Sequence, residues 1–148
     1  MIMRFGGGEK DTTQFLFNCW FDSTYWDAAL ITDLKGSLQG GDTDGSLGTS
    51  IPELNQVIFP LPGVIDLMTF ALGLNTNDQI ITITTFLGGS GGADGNQIIT
   101  IGAGLTGVFQ DVTNNDVLGV NAEVCYNHNK PAGVGTAGRP QATMRYVR

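Results

Sequence analysis

Residues 79–129 read QIITITTFLGGSGGADGNQIITIGAGLTGVFQDVTNNDVLGVNAEVCYNHN, and this stretch decides the fold. Two Ile- and Thr-rich runs, residues 80–86 and 97–101, are predicted strands, because β-branched side chains suit a pleated surface. In the first, Ile81 and Ile83 alternate with Thr82 and Thr84, the period of two expected of a half-buried strand. The glycine-rich segment between the runs is a turn. A second tight turn comes next, and residues 122–126 form a third strand. The halves IITIT and IITIG are neighbouring strands of one meander, since no fixed period runs through the chain.

Toward the N-terminus, residues 1–12 read as an irregular arm, because Gly6, Gly7 and Gly8 oppose regular structure. Residues 13–21 (TQFLFNCWF) form an aromatic strand flanked by Trp20, Tyr25 and Trp26, rings that fill a core or an interface. Residues 28–34 are a shorter candidate strand, with a helical turn over 25–35 as the alternative. Residues 36–50 (GSLQGGDTDGSLGTS) are an exposed loop. Residues 51–59 resume a strand, and PLPG at 60–63 turns it. Across 64–75, Val64, Met68, Phe70, Leu72 and Leu74 share one parity and Ile65, Leu67 and Ala71 the other. Apolar residues on both faces predict a central strand or one lying against a neighbouring subunit. Residues 139–147 close the chain as a last strand. The expectation is an all-β, single-domain antiparallel β-sandwich of jelly-roll type. It has about eight strands over residues 13–148, preceded by the arm at 1–12.

The bulk composition excludes several functions. The chain has 148 residues, enough to bury a core without staples. Charged residues make up 14%, against roughly 25% in an ordinary domain. Thr, Asn, Ser and Gln therefore supply the polar surface, as suits sheets and assemblies. A net charge of −7 argues against nucleic acid, whose phosphates need a basic face. There is no basic amphipathic segment for a membrane surface, and no apolar run of the about 18 residues that span a bilayer. Residues 1–10 do not read as a signal peptide, since glycines and a Glu–Lys pair replace the apolar core. Two cysteines, Cys19 and Cys125, are too few for a disulfide framework; buried thiols are expected, with a bridge between them as the alternative.

No motif carries chemistry. Gly102–Gly107 matches G-x-G-x-x-G, but dinucleotide binding needs a helix after the third glycine, and VFQDVTNND is no helix; a tight turn is expected. Gly88–Gly92 matches G-x-S-x-G around Ser90, yet lies in a hairpin loop, and the chain has one histidine, His128. Asp42, Asp44, Ser46 and Glu53 loosely follow a calcium loop whose glycine position is Leu47, so Asx-turn chemistry is the reading there and at residues 114–116. Cys125 and His128 have C-x-x-H spacing but lack the four ligands of a structural zinc. His128 is expected in a loop near a strand end. No catalytic residue, cofactor site or metal site is assigned, and the chain is not expected to be an enzyme.

Residues 78–127 resemble a recurring module of tailed-bacteriophage virion surface proteins with a tumour-necrosis-factor-like (complement-globular-head-like) jelly roll. The resemblance rests on the order of a TITT strand, GADGN, an ITI strand, GAGLTGVFQD, TNND and a strand ending VCYN. It spans the last half to two-thirds of the chain. Residues 15–26 and 36–50 are not part of the pattern, and residues 115–124 are spaced more loosely. The resemblance implies a homotrimer packed around a threefold axis, with Phe70, Leu72, Ile81, Ile83, Phe109 and Tyr126 supplying core and trimer interface. It also implies a structural virion protein assembled in the host cytoplasm, in first place a capsid decoration (cement) protein. The arm residues Met1, Ile2, Met3, Arg4 and Phe5 would then anchor it to the major capsid protein or another virion protein. The alternative is the receptor-binding tip of a tail or head fibre, using loops 36–50, 88–96 and 128–138.

Overall fold

The computed structural model describes residues 2–3, 14–20, 25–26, 31–36, 56–88, 91–130, 135 and 137–148. Strands β1 (Ile2–Met3), β2 (Gln14–Trp20), β3 (Tyr25–Trp26), β4 (Ile31–Gly36), β5 (Val57–Phe59) and β6 (Gly63–Asn75) come first. After them come β7 (Ile81–Leu87), β8 (Ala93–Ile101), β9 (Gly107–Asp111), β10 (Asp116–Leu118), β11 (Ala122–Lys130) and β12 (Ala137–Val147). Eight of these run for five residues or more, and no helix occurs among the described residues. The chain is all-β, as its patterning predicts.

The strands form two antiparallel sheets. The seven-stranded sheet has the order β1-β2-β12-β6-β10, with β3 also on β12 and β9 also on β6. The five-stranded sheet has the order β4-β11-β7-β8, with β5 also on β11. One hydrophobic cluster joins them. Ile65, Met68, Phe70 and Leu72 of β6 and Ala142, Met144 and Tyr146 of β12 meet Ile81 and Ile83 of β7, Ile99 and Ile101 of β8 and Val124 and Tyr126 of β11. Two sheets sharing one core make a β-sandwich.

Strand β6 lies between β12 and the β9 and β10 pair, the central position that its two-sided apolar pattern predicts. Its parity, however, changes partway. Arg145 pairs with Leu67 and Tyr146 with Ile65, which leaves Asp66 as an extra residue in β6. This bulge turns Ile65 inward beside Met68, Phe70 and Leu72, and leaves Val64 on the other face with Leu67. Strand β7 departs from simple alternation as well. Ile81 and Ile83 are buried, but so are Thr84, Thr85 and Phe86, because β7 is flanked by β8 and β11 and covered on both faces toward its end.

Boundaries differ where polar residues sit in strands. Strand β8 begins at Ala93, earlier than the predicted 97, because GADGN bulges between Thr84 and Phe86 yet stays in the ladder. Strands β9 and β10 fall where only turn residues were expected. The N-terminal arm holds β1, whose Ile2 and Met3 pair with Phe15 and Gln14. His128 is not a loop residue. It is buried on β11, opposite Leu34 and Ile83, with its ring edge-on to Phe70 at a centroid distance of 6.0 Å. It stays inside because β11 continues to Lys130, paired on both sides.

The PLPG turn is held from the other end of the chain. The Tyr146 hydroxyl donates to the carbonyls of Leu61 (2.8 Å) and Pro62 (3.1 Å), and its ring lies 4.9 Å from that of Phe59. Substituting Tyr146→Phe keeps the ring and removes these bonds. It should lower unfolding free energy by about 1–2 kcal/mol in denaturant titration, with no change in the cooperativity slope.

Candidate functional site

Acidic side chains are the chain's main stock of reactive groups, and two of them are buried together. Asp111 ends β9 and Asp116 begins β10; the loop between them carries Thr113, Asn114 and Asn115 against β8. The Asp111 carboxylate accepts from the Ile98 N–H (2.8 Å), the Thr113 N–H and hydroxyl (each 3.0 Å) and the Asn114 N–H (3.1 Å) and Nδ2 (2.9 Å). Asp116 accepts from the Thr85 hydroxyl and the Asn96 N–H, each at 2.5 Å, and from the Gln97 N–H at 3.4 Å. In return, Gln97 Nε2 donates to the Asn114 carbonyl and Asn96 Nδ2 to the Asn115 carbonyl at 3.0 Å.

Burial pushes the Asp111 carboxyl up, but the Ile98 amide, the Asn114 side chain and amide and the Thr113 amide hold it well below the usual carboxylate range. A carboxylate used for proton transfer or for a cation needs a lone pair to spare. Asp111 has five donors on two oxygens, so it works as a structural tie. The Asx turn lies earlier than the expected 114–116: Asp111 Oδ1 accepts from the Thr113 N–H, while Asn114 bonds back to Asp111 and Asp116 to Thr85, Asn96 and Gln97. The loop is also tightly seated: a side chain on Gly95 would run into Thr85 Oγ1 and the Asp116 carboxylate.

The G-x-G-x-x-G motif is a turn. Gly102 accepts from the Leu105 N–H at 3.1 Å, with Gly104 at φ 70°, and the next element is β9 rather than a helix. Asn75 Nδ2 ties this turn to the end of β6 through the carbonyls of Gly102 (3.3 Å) and Leu105 (2.9 Å). The G-x-S-x-G segment joins β7 to its antiparallel neighbour β8; Ser90 itself lies outside the described residues. Asp42, Asp44, Ser46 and Glu53 also lie outside them. Cys125 is a buried thiol on β11.

The remaining candidate is a surface. On the outer side of the seven-stranded sheet, Val117, Val64 and Val147 are cross-strand neighbours, as are Gln110, Thr69 and Thr143, and Val108, Ala71 and Gln141. Val108 is 67% exposed, Val112 just beyond β9 is 66% exposed, and Val117 is 76% exposed. Within these rows the charge is one compensated pair. The bulge residue Asp66 accepts from Arg145 Nε (2.7 Å) and Nη2 (2.9 Å), which raises the arginine further above its ordinary value. An uncharged sheet face of exposed valines among Thr and Gln, on a protein of net charge −7, is the described feature best suited to contact with another molecule.

The six residues expected at core and interface divide unevenly. Phe70, Leu72, Ile81, Ile83 and Tyr126 are each 1% exposed or less, and Phe109 is half-buried against the same cluster. They belong to the intramolecular core. Sequence alone does not separate core residues from outward-facing ones, because alternation marks two faces of a strand without saying which of them the second sheet covers. Of the arm residues, Ile2 and Met3 form β1; Met1, Arg4 and Phe5 lie outside the described residues. No protein-family model matches the chain, and no curated protein matches it.

Proposed function

We propose that this chain is a structural virion protein of a tailed bacteriophage, a capsid decoration (cement) protein that works as a homotrimer. The observation that carries self-association is the neutral valine-bearing face on an otherwise acidic molecule. Two acidic copies meet there with little like-charge repulsion, and apolar area leaves water. The virion role rests on the resemblance of residues 78–127. Strand order supports the jelly-roll part of that resemblance. Counting only the eight longer strands, one sheet runs first, eighth, third, sixth and the other second, seventh, fourth, fifth. Two interlocked Greek keys produce such an order. The buried carboxylates, used as ties, fit a protein that assembles rather than turns over a substrate.

Light scattering on the purified protein tests the assembly. A trimer mass is expected at on the order of 10 µM, and Val117→Lys should weaken it by about tenfold or more without unfolding the monomer. A monomer at that concentration would overturn the reading. Stripping the protein from particles should lower their heat stability and spare adsorption to cells. Competition with phage for attachment would instead favour the fibre tip.

A further inference from the structure

Among the described residues the five-stranded sheet ends at β8, which has β7 on one side and no strand of its own sheet on the other. Such an edge ordinarily offers its N–H and C=O groups to any extended chain that passes. Here two of the N–H groups along this edge, those of Asn96 and Ile98, are already engaged. Asn96 donates to Asp116 Oδ1 at 2.5 Å and Ile98 to Asp111 Oδ2 at 2.8 Å. Both acceptors come from the end of the other sheet, at the two ends of the β9–β10 loop. Asp111 is held in turn by Thr113 and Asn114, and Gln97 and Asn96 bind the loop's carbonyls. The loop is thus fastened from both directions.

We propose that Asp111 and Asp116 terminate the β8 edge by standing in for the carbonyls of a neighbouring strand, and so prevent a second copy from adding there. The consequence concerns the form of assembly. Strand addition at an open edge pairs two copies antiparallel about a twofold axis or, head to tail, builds an open array, whereas packing through a sheet face can close into a threefold ring. At the β8 edge the carboxylates close the first route. A carboxylate suits this task better than the backbone of another strand, because it accepts on two oxygens and carries no N–H to offer an incoming chain.

Asp111→Asn removes one accepting oxygen, so the side chain can satisfy Ile98 or the loop amides but not both. The variant should keep its β circular-dichroism spectrum and shift to larger, concentration-dependent species in size-exclusion chromatography with light scattering. Adding Ile98→Pro deletes the edge donor itself and should return the protein to its wild-type size. Wild-type size in folded Asp111→Asn, or no reversal by Ile98→Pro, would overturn the proposal. Hydrogen exchange on the unaltered protein decides independently of folding in any variant. The Asn96 and Ile98 amides should exchange as slowly as those inside β7, and exchange at the rate of open-edge amides would refute the cap. Either failure leaves the trimer reading untouched, since that reading depends on the outer face and is read by mass.

Discussion

Replacing Asp111 by alanine is expected to lower unfolding free energy by about 3–4 kcal/mol, the larger part of the stability margin of many domains this size. The side chain is nearly fully buried and five donors converge on it. Alanine leaves the amides of Ile98, Thr113 and Asn114 without that acceptor, and each stranded buried amide costs about 1–3 kcal/mol unless water reaches it. Denaturant titration checks the size of the loss. The same residue should set the acid limb of stability. Its carboxyl titrates lower in the folded protein than its ordinary value of 3.8, so the unfolded chain binds the proton first as pH falls. The stabilisation is therefore complete above that value and is lost progressively below it. Relative to Asp111→Ala, the wild-type protein's advantage should shrink between pH 4 and pH 2, as measured by the thermal midpoint at each pH. A difference that stays constant across this range would mean that Asp111 contributes by packing alone.

Gly63→Val should cost about 3 kcal/mol, for a reason that no inspection of residues 60–63 alone would suggest. The first atom of any side chain at Gly63 would fall within the Tyr146 ring, against its Cε2, Cζ and hydroxyl. To make room the ring must leave its place against Phe59, and its hydroxyl then gives up the carbonyls of Leu61 and Pro62. The loss thus combines overpacking with the two hydrogen bonds that Tyr146→Phe removes by itself. A double-mutant cycle with Tyr146→Ala separates the parts. Most of the Gly63→Val penalty should vanish once the ring is gone, and a penalty that persists would place the strain in the backbone.

These two sites share a design. The sandwich has few charges, and its ends are tied by single side chains reaching across sequence: Tyr146 to the β5–β6 turn, Asp111 and Asp116 to β8, Asn75 to the turn after β8. The valine-bearing rows on the outer side of the seven-stranded sheet carry no unpaired charge. In the proposed decoration protein this division is useful, because the ties keep each subunit rigid while the valine face is free to pack.

Composition and period were sufficient for the fold class. Alternating Ile and Thr over 81–84, the apolar run at 64–75 and the turn residues between them leave no helix-period face to bury, so local patterning dictates a two-sheet, all-β chain. The G-x-G-x-x-G motif was legible for the same reason: the residues after Gly107, rich in β-branched and turn types, argue against the helix that dinucleotide binding needs. Tertiary structure alone decided which apolar residues face the core. One extra residue, Asp66, reverses the side-chain parity of β6, and a bulge of that kind is set by pairing with β12 rather than by the residue itself. It also decided that His128 is buried and that Asp111 and Asp116, by sequence mere loop polars, bind the two sheets together. Period-two patterns record which side of a strand is wet; they hold no information about which distant amides will need an acceptor, and that need arises only when β8 and β9 are brought side by side.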